Sequence, residues 1–280
     1  MLNGFIRKRP LAIFWALGAL LLLLYSAIYL VYPFRDAWND AVLYVVYITT
    51  VSTPALVVTV TLQLYDVNDL PRRVWLNFTI GFWGWVVAEF IWVSYILLVG
   101  NPPRVNLSDF FYLLGYVFIT MGVYHQYLLL GQPAARWSRS AAILFWGLAV
   151  LLTLLALVFT GAFFDPAMFL EDLFGIIDLM LGAVALIMLS AFRGGALARP
   201  WRGFIVLALA NVFYAWLSQT GAYQVDTVSG DVLRLISDLV YMLSYLVLAS
   251  GFLYQYLLLR FGPRISGGEE IHRKETGISA

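Results

Sequence analysis

Apolar stretches of about 20 residues alternate with short polar segments along almost the whole chain. A helix of about 20 residues, rising 1.5 Å per residue, spans the roughly 30 Å hydrocarbon layer of a bilayer. The pattern therefore predicts eight transmembrane helices, numbered here as spans one to eight. Their expected ranges are 11–32, 41–64, 74–99, 109–130, 140–160, 170–191, 203–223 and 235–259.

The composition agrees with a chain that lies mostly in lipid. The 280 residues are 62% hydrophobic and only 12% charged, whereas a soluble domain is about half apolar and a quarter charged. We expect an all-α integral membrane protein, in contact with the lipid bilayer of the plasma membrane. The chain has no cysteine, which excludes disulfides and thiolate chemistry, and its net charge of +1 favours no nucleic-acid partner.

Lysine and arginine residues predict the orientation, because they concentrate in cytoplasmic loops. If both termini are cytoplasmic, 14 of the 17 basic residues fall on the cytoplasmic side. The three on the outer side are Arg35, Arg104 and Arg234. An error of one span would mix the two groups, so the distribution supports eight spans with both termini in the cytoplasm.

Two nearly identical phrases stand half a chain apart: YHQYLLL at 124–130 and LYQYLLL at 253–259. The same shift of about 129 residues aligns Ser108-Asp109 with Ser237-Asp238, and a shift of 131 aligns FWGW (82–85) with FYAW (213–216). We interpret this as a duplicated four-helix unit. Four helices are an even number, so both units face the same way and form two parallel repeats about an axis along the membrane normal. The expected divisions are 1–130, 131–260 and a disordered cytoplasmic tail, 261–280.

Two carboxylates lie well inside the predicted spans, Glu89 in span three and Asp178 in span six. A charge in the hydrocarbon layer is costly and normally faces the bundle interior or a wet cavity. Both residues fall in the outer half of the membrane. Glu89 shares one helical face with Trp85 and Trp92; the aligned face of the second repeat carries Trp216, Thr220 and Tyr223.

Spans four and eight each begin with a stripe of aspartate and tyrosine at helical spacing. With the faces of spans three and seven, these stripes could line an aromatic cavity that contains carboxylates and opens toward the outer side. Such a cavity could hold an apolar ring-bearing ligand, for example a quinone or carotenoid, or a cation stacked on the rings. The candidate ligand-binding residues are Trp85, Glu89, Trp92, Asp109, Tyr112, Tyr116, Asp178, Trp216, Thr220, Asp238, Tyr241 and Tyr245.

A structural alternative stays open for the same residues. Tyrosine and aspartate could hydrogen-bond across helices and hold the bundle together, and Asp109 could cap its helix. Glu89 is the residue for which function competes best, because the second repeat has Thr220 in its place. A residue needed only for architecture would more often survive in both units.

Two further polar features lie within spans. The segment Ile48–Pro54 places hydroxyls around a proline in span two, which predicts a kink whose freed carbonyl is satisfied by serine or threonine. The functional alternative is a hinge or a local cavity. His125, in span four, is the only histidine expected within the membrane, and a lone histidine is more typical of packing than of haem or metal ligation. We expect no metal site.

The segments FWGWVVAEFIW, NPPRVNLSDFFYLLGY and ISDLVYMLSY combine a Trp-rich helix, a short loop and a Ser-Asp-x-x-Tyr stripe. This pattern resembles the multi-helix membrane input regions upstream of bacterial GGDEF diguanylate cyclases and histidine kinases. The resemblance covers spans three and four well and spans seven and eight less well, and it implies a sensory membrane fold. Those proteins carry a cytoplasmic output domain, which we do not expect here, so signalling would require a partner protein.

Three functions compete at this point. The first is a sensory or ligand-binding module with a cavity among spans three, four, seven and eight. The second is an accessory subunit of a larger respiratory or photosynthetic membrane complex, packed against other chains, lipids or pigments. The third is a transporter, which the parallel repeat allows. We do not expect an enzyme, because no nucleophile–base pair or metal set accompanies the candidate acids.

Overall fold

The structure, a computed structural model, describes residues 2–33, 36–100, 103–129, 166–192, 198–219 and 228–261. Within these ranges the regular secondary structure is helical. Predicted span five and the predicted tail after Phe261 lie outside the described residues, as does Thr220.

Eight helices occur in the described ranges. They are α1 (Leu2–Val31), α2 (Asp36–Val51), α3 (Thr53–Leu62), α4 (Leu70–Val99), α5 (Leu107–Leu128), α6 (Pro166–Ala191), α7 (Arg199–Gln219) and α8 (Val228–Phe261). Helix α4 ends at Val99, and the residue after it, Gly100, has a φ of 87°, which suits a residue without a side chain.

Six segments of the described chain are long and apolar enough to cross a membrane: Arg9–Val31, Trp38–Leu62, Leu70–Val99, Leu107–Leu128, Arg199–Leu217 and Asp231–Phe261. A shorter apolar segment, Leu173–Leu189, lies in α6. The prediction of an all-helical membrane protein is confirmed. The six segments overlap predicted spans one to four, seven and eight, and the shorter one overlaps span six.

Span two is divided into α2 and α3 at Ser52, where the sequence predicted a kink. Pro54 has no N–H, so the carbonyl of Thr50 loses its helical partner. The hydroxyl of Thr53 donates to that carbonyl at 2.7 Å. Backbone bonds from Ser52 to Ile48 and from Leu56 to Ser52 continue on either side, so the break is confined to one turn.

Helices α4 and α5 pack closely because glycine removes side chains from their contact. A Cβ on Gly115 would lie 2.3 Å from Cδ1 of Trp85 and 2.8 Å from the carbonyl oxygen of Gly81. Helices α7 and α8 show the same device, since a Cβ on Gly203 would lie 2.3 Å from Cα of Leu248. Small residues that let helices approach are typical of membrane bundles.

Buried aromatic rings fill the bundle at the end where α4 and α7 begin and α8 finishes. This aromatic plug consists of Trp75, Phe78, Phe82, Trp201, Phe204 and Phe252. Phe252 lies at its centre, with ring centroids 5.6 Å from Phe78 and 5.7 Å from Phe82. The rings of the aromatic plug fill this half of the bundle interior.

Candidate ligand site

A cavity of about 780 Å³ occupies the opposite half of the bundle interior. It lies among the end of α1, the start of α2, the second half of α4, the starts of α5, α6 and α8, and the second half of α7. The described residues around it include nine tyrosines: Tyr25, Tyr29, Tyr32, Tyr44, Tyr47, Tyr112, Tyr116, Tyr214 and Tyr241. It reaches the exposed side chains of Asp40, Arg104 and Arg234, so it extends to the bundle end.

Glu89 lies on the cavity wall but is almost completely buried, with 3% of its surface exposed. The hydroxyl of Tyr241, from α8, donates to its Oε1 at 3.1 Å. The hydroxyls of Tyr47 and Tyr112 interact with the same carboxyl group. Glu89 therefore faces the bundle interior, where tyrosines from α2, α5 and α8 surround it.

Asp178 holds a second polar cluster in the same cavity. The hydroxyl of Tyr116 donates to its Oδ1 at 2.7 Å, and the side-chain amide of Asn211 donates to its Oδ2 at 2.7 Å. The three residues join α5, α6 and α7. Both deep carboxylates thus face the interior and accept hydrogen bonds, as the cost of exposing a charge to lipid requires.

Asp109 and Asp238 line the cavity nearer its opening, but their hydrogen bonds differ. Asp109 forms a capping box with Asn106, whose backbone N–H donates to Oδ2 of Asp109 at 2.7 Å. Asp238 accepts a 2.8 Å hydrogen bond from the hydroxyl of Tyr25, in α1. The structural alternative is therefore correct for the hydrogen bonds, and the same side chains also line the cavity.

The remaining candidates fall in three places. Trp92 and Tyr112 line the cavity, and the ring of Trp92 makes an edge contact with Tyr44 at 6.2 Å. Trp85 and Tyr245 are buried in the hydrophobic core next to the cavity lining. The hydroxyl oxygens of Tyr245 and Tyr241 lie 3.0 Å apart. Trp216 is 54% exposed and stacks on Phe213, so the structure does not bring it to the cavity.

Helices α1 and α2 contribute to the cavity, although the sequence pointed to spans three, four, seven and eight. Helix α6 contributes as well, and its Asp178 was a candidate residue. Tyr25 and Tyr29 of α1 and Tyr44 and Tyr47 of α2 are lining residues that the sequence analysis missed. Their spacing of three or four residues puts each pair on one face, which was the available signal.

Asn39, also missed, is the most unusual lining residue. Its side chain has no exposed surface, and neither its Nδ2 nor its Oδ1 has a hydrogen-bond partner in the described chain. An unpaired buried amide costs roughly 1–3 kcal/mol. A partner from within the cavity would remove that cost.

Charge is distributed unevenly around the cavity. Among the residues that the structure describes, six acidic side chains line it: Asp40, Glu89, Asp109, Asp178, Asp231 and Asp238. Two basic side chains of the described residues do so, Arg104 and Arg234. The described lining therefore contains more carboxylates than guanidinium groups to neutralise them.

His125 lies away from the cavity, near the end of α5. Its Nδ1 is 2.8 Å from the carbonyl oxygen of Met121 and 3.4 Å from Nδ2 of Asn77. These contacts suit a packing residue. No group of three or more histidine or acidic side chains is placed to bind a metal among the residues that the structure describes.

Comparison with family models, with characterised proteins and with solved structures gives no significant match.

Proposed function

We propose that the protein is a membrane-embedded ligand-binding module that senses a small molecule and acts through a partner protein. The observation that carries the proposal is the cavity of about 780 Å³ that encloses Glu89 and Asp178. A volume of this size falls within the range of small-molecule sites, which combine apolar walls with a few fixed polar groups. The resemblance to bacterial membrane input regions supports a sensory role.

The aromatic plug favours a sensor over a transporter. The cavity reaches one end of the bundle, and the plug occupies the other half of the interior. A transporter would have to open a path through rings that contact one another closely, whereas a sensor needs access from one side only. We propose that the open side is the outer side, as the distribution of arginine and lysine predicts.

We further propose that the bundle consists of two parallel four-helix repeats with eight spans. Contacts between helices support this. Helix α4 packs on α5 as α7 packs on α8, and α3 contacts α8 as α6 contacts α5. These are the contacts expected if spans one to four and five to eight are related by an axis along the membrane normal, and the cavity then lies between the repeats.

Gentle purification from the native membrane tests the ligand-binding function. We expect native mass spectrometry of the isolated chain to show a stoichiometric small molecule that is lost from Glu89→Gln. Asp66→Asn is a matched control, because Asp66 is an exposed carboxylate at the opposite end of the bundle. An isolated chain that never carries a small molecule would contradict the proposal.

The second candidate is an accessory subunit of a larger membrane complex. Large aromatic side chains on the outside of the bundle favour it, including Trp38, Phe90, Phe110 and Trp216, each more than half exposed. Such faces contact lipid in an isolated protein but could pack on other chains. Co-purification of stoichiometric membrane subunits, with no small molecule in the cavity, would favour this candidate.

A further inference from the structure

We infer that the ligand is an organic cation, an amine or quaternary ammonium that carries an apolar ring. The inference rests on the proposed ligand-binding function and specifies its ligand class. The charges and hydrogen bonds of the lining carboxylates support it, and the unpaired amide of Asn39 supports it separately.

The charge of the lining complements a cation. Six carboxylates and two guanidinium groups from the described part of the chain surround the cavity. The acidic groups form a series from the exposed opening, at Asp40 and Asp231, to Glu89 in the buried interior. Membrane orientation alone explains why basic residues are scarce at this end of the bundle. It does not explain why the carboxylate of Glu89 is buried in the interior. A carboxylate there is costly unless a positive charge accompanies it or it is protonated.

The hydrogen bonds favour a donor ligand over an acceptor ligand. A quinone is held by donors that reach its carbonyl oxygens. Here lining tyrosine hydroxyls already interact with three carboxylates: Tyr241, Tyr47 and Tyr112 with Glu89, Tyr116 with Asp178, and Tyr25 with Asp238. These hydroxyls are therefore not available to a carbonyl ligand. A carboxylate offers about four acceptor positions, so an ammonium group can donate to a position that the tyrosines leave, and its charge compensates that of the carboxylate.

The rings provide the second element of cation recognition. Tyr47 stacks on Tyr241 with planes inclined by 11° and centroids 6.1 Å apart, next to Glu89. Trp92 and Tyr44 form a further pair of lining rings. The faces of such rings attract cations by roughly 0.5–2 kcal/mol, more strongly when water is excluded. Their apolar surfaces also accommodate a ring on the ligand.

Asn39 points independently to a polar ligand atom. Its amide is fully buried at the cavity and has no partner in the described chain. Buried polar groups in native proteins are almost always hydrogen-bonded. The Oδ1 atom could accept from an ammonium N–H, and the Nδ2 group could donate to a ligand hydroxyl.

The test is equilibrium binding of matched probes to the full chain in lipid nanodiscs. The probes are phenethylammonium, its neutral analogue 2-phenylethanol, and menadione as a neutral quinone. We expect phenethylammonium to bind at least about tenfold more tightly than 2-phenylethanol, which corresponds to about 1.4 kcal/mol. We expect Glu89→Gln and Asn39→Leu to weaken the binding of phenethylammonium by a similar factor. We expect the control Asp66→Asn to leave its affinity unchanged.

The outcomes separate the ligand class from the function. Equal or tighter binding of 2-phenylethanol would overturn the cation inference. Binding of menadione alone would overturn it too, but would leave the ligand-binding function standing. If no probe binds up to about 1 mM, the cation inference is overturned, while the ligand-binding function is decided by native mass spectrometry of the purified chain. The comparison of probes on the unmodified chain needs no variant, so it decides the question even if Glu89→Gln fails to fold.

Discussion

The hydroxyl of Tyr116 donates a 2.7 Å hydrogen bond to Oδ1 of Asp178, and this bond joins α5 to α6 inside the bundle. The two residues stand 62 positions apart and belong to the two predicted repeats. Asn211 donates to the other oxygen of the same carboxylate. A carboxylate that the sequence marked as a candidate ligand-binding residue is thus also the acceptor that connects three helices.

Removal of the Asp178 acceptor should destabilise the protein. In Asp178→Ala the buried hydroxyl of Tyr116 loses its acceptor, at about 1–3 kcal/mol, and the partly buried amide of Asn211 loses its acceptor at a smaller cost. Asp178→Asn keeps the shape and one acceptor oxygen, so we expect a smaller loss. The free energy of unfolding, measured by denaturant titration in micelles, checks the order. Equal stability of Asp178→Ala and the unmodified chain would contradict the hydrogen-bond assignment.

The close approach of α4 and α5 depends on Gly115. Gly115→Ala places a methyl group 2.3 Å from Cδ1 of Trp85 and should lower the free energy of unfolding by about 1–3 kcal/mol. Gly175→Ala in α6 is the matched control, because no atom outside its local helix lies within 4 Å of the added Cβ. We expect the control to be neutral or slightly stabilising. Similar losses in both variants would argue against this helix contact.

The kink in span two can be tested by a double-mutant cycle. Thr53→Val removes the hydroxyl that donates to the carbonyl of Thr50, and it should cost about 1 kcal/mol. In a Pro54→Ala background the new N–H at position 54 can satisfy that carbonyl, so the same substitution should cost much less. The coupling energy is obtained from four unfolding curves. Additive effects would show that the hydroxyl does not compensate for the proline.

The aromatic plug should contribute to stability through packing. Phe252→Ala removes a ring that is 1% exposed and contacts four other rings of the plug, so we expect a loss of about 2 kcal/mol or more. Phe90→Ala is a control of the same type on the outside of α4, where 62% of the side chain is exposed. We expect its effect to stay below about 0.5 kcal/mol. Thermal unfolding in micelles measures both, and equal shifts would contradict the buried position of Phe252.

The sequence predicted the membrane helices well because hydropathy alone determines them. It also predicted that Glu89 and Asp178 face the interior, since lipid is a poor environment for a carboxylate. The alignment of the two repeats gave a wrong expectation for Trp216. Trp216 aligns with Trp85 in the sequence, but this alignment does not determine which face of α7 turns toward the interior. Asn39 could not have been found, because its significance lies in missing partners, which depend on how all the neighbouring helices pack.

The central claim is that Glu89 and its neighbours face a water-accessible cavity that attracts cations. The chain has no cysteine, so single cysteines can be labelled without background at Trp92, on the cavity wall, and at Phe90, on the outside of the same helix. We predict that a water-soluble trimethylammonium thiosulfonate reacts with Trp92→Cys faster than its sulfonate analogue does, and that Phe90→Cys reacts with neither. Equal labelling of the two positions, or a preference for the anionic reagent at Trp92→Cys, would contradict the claim.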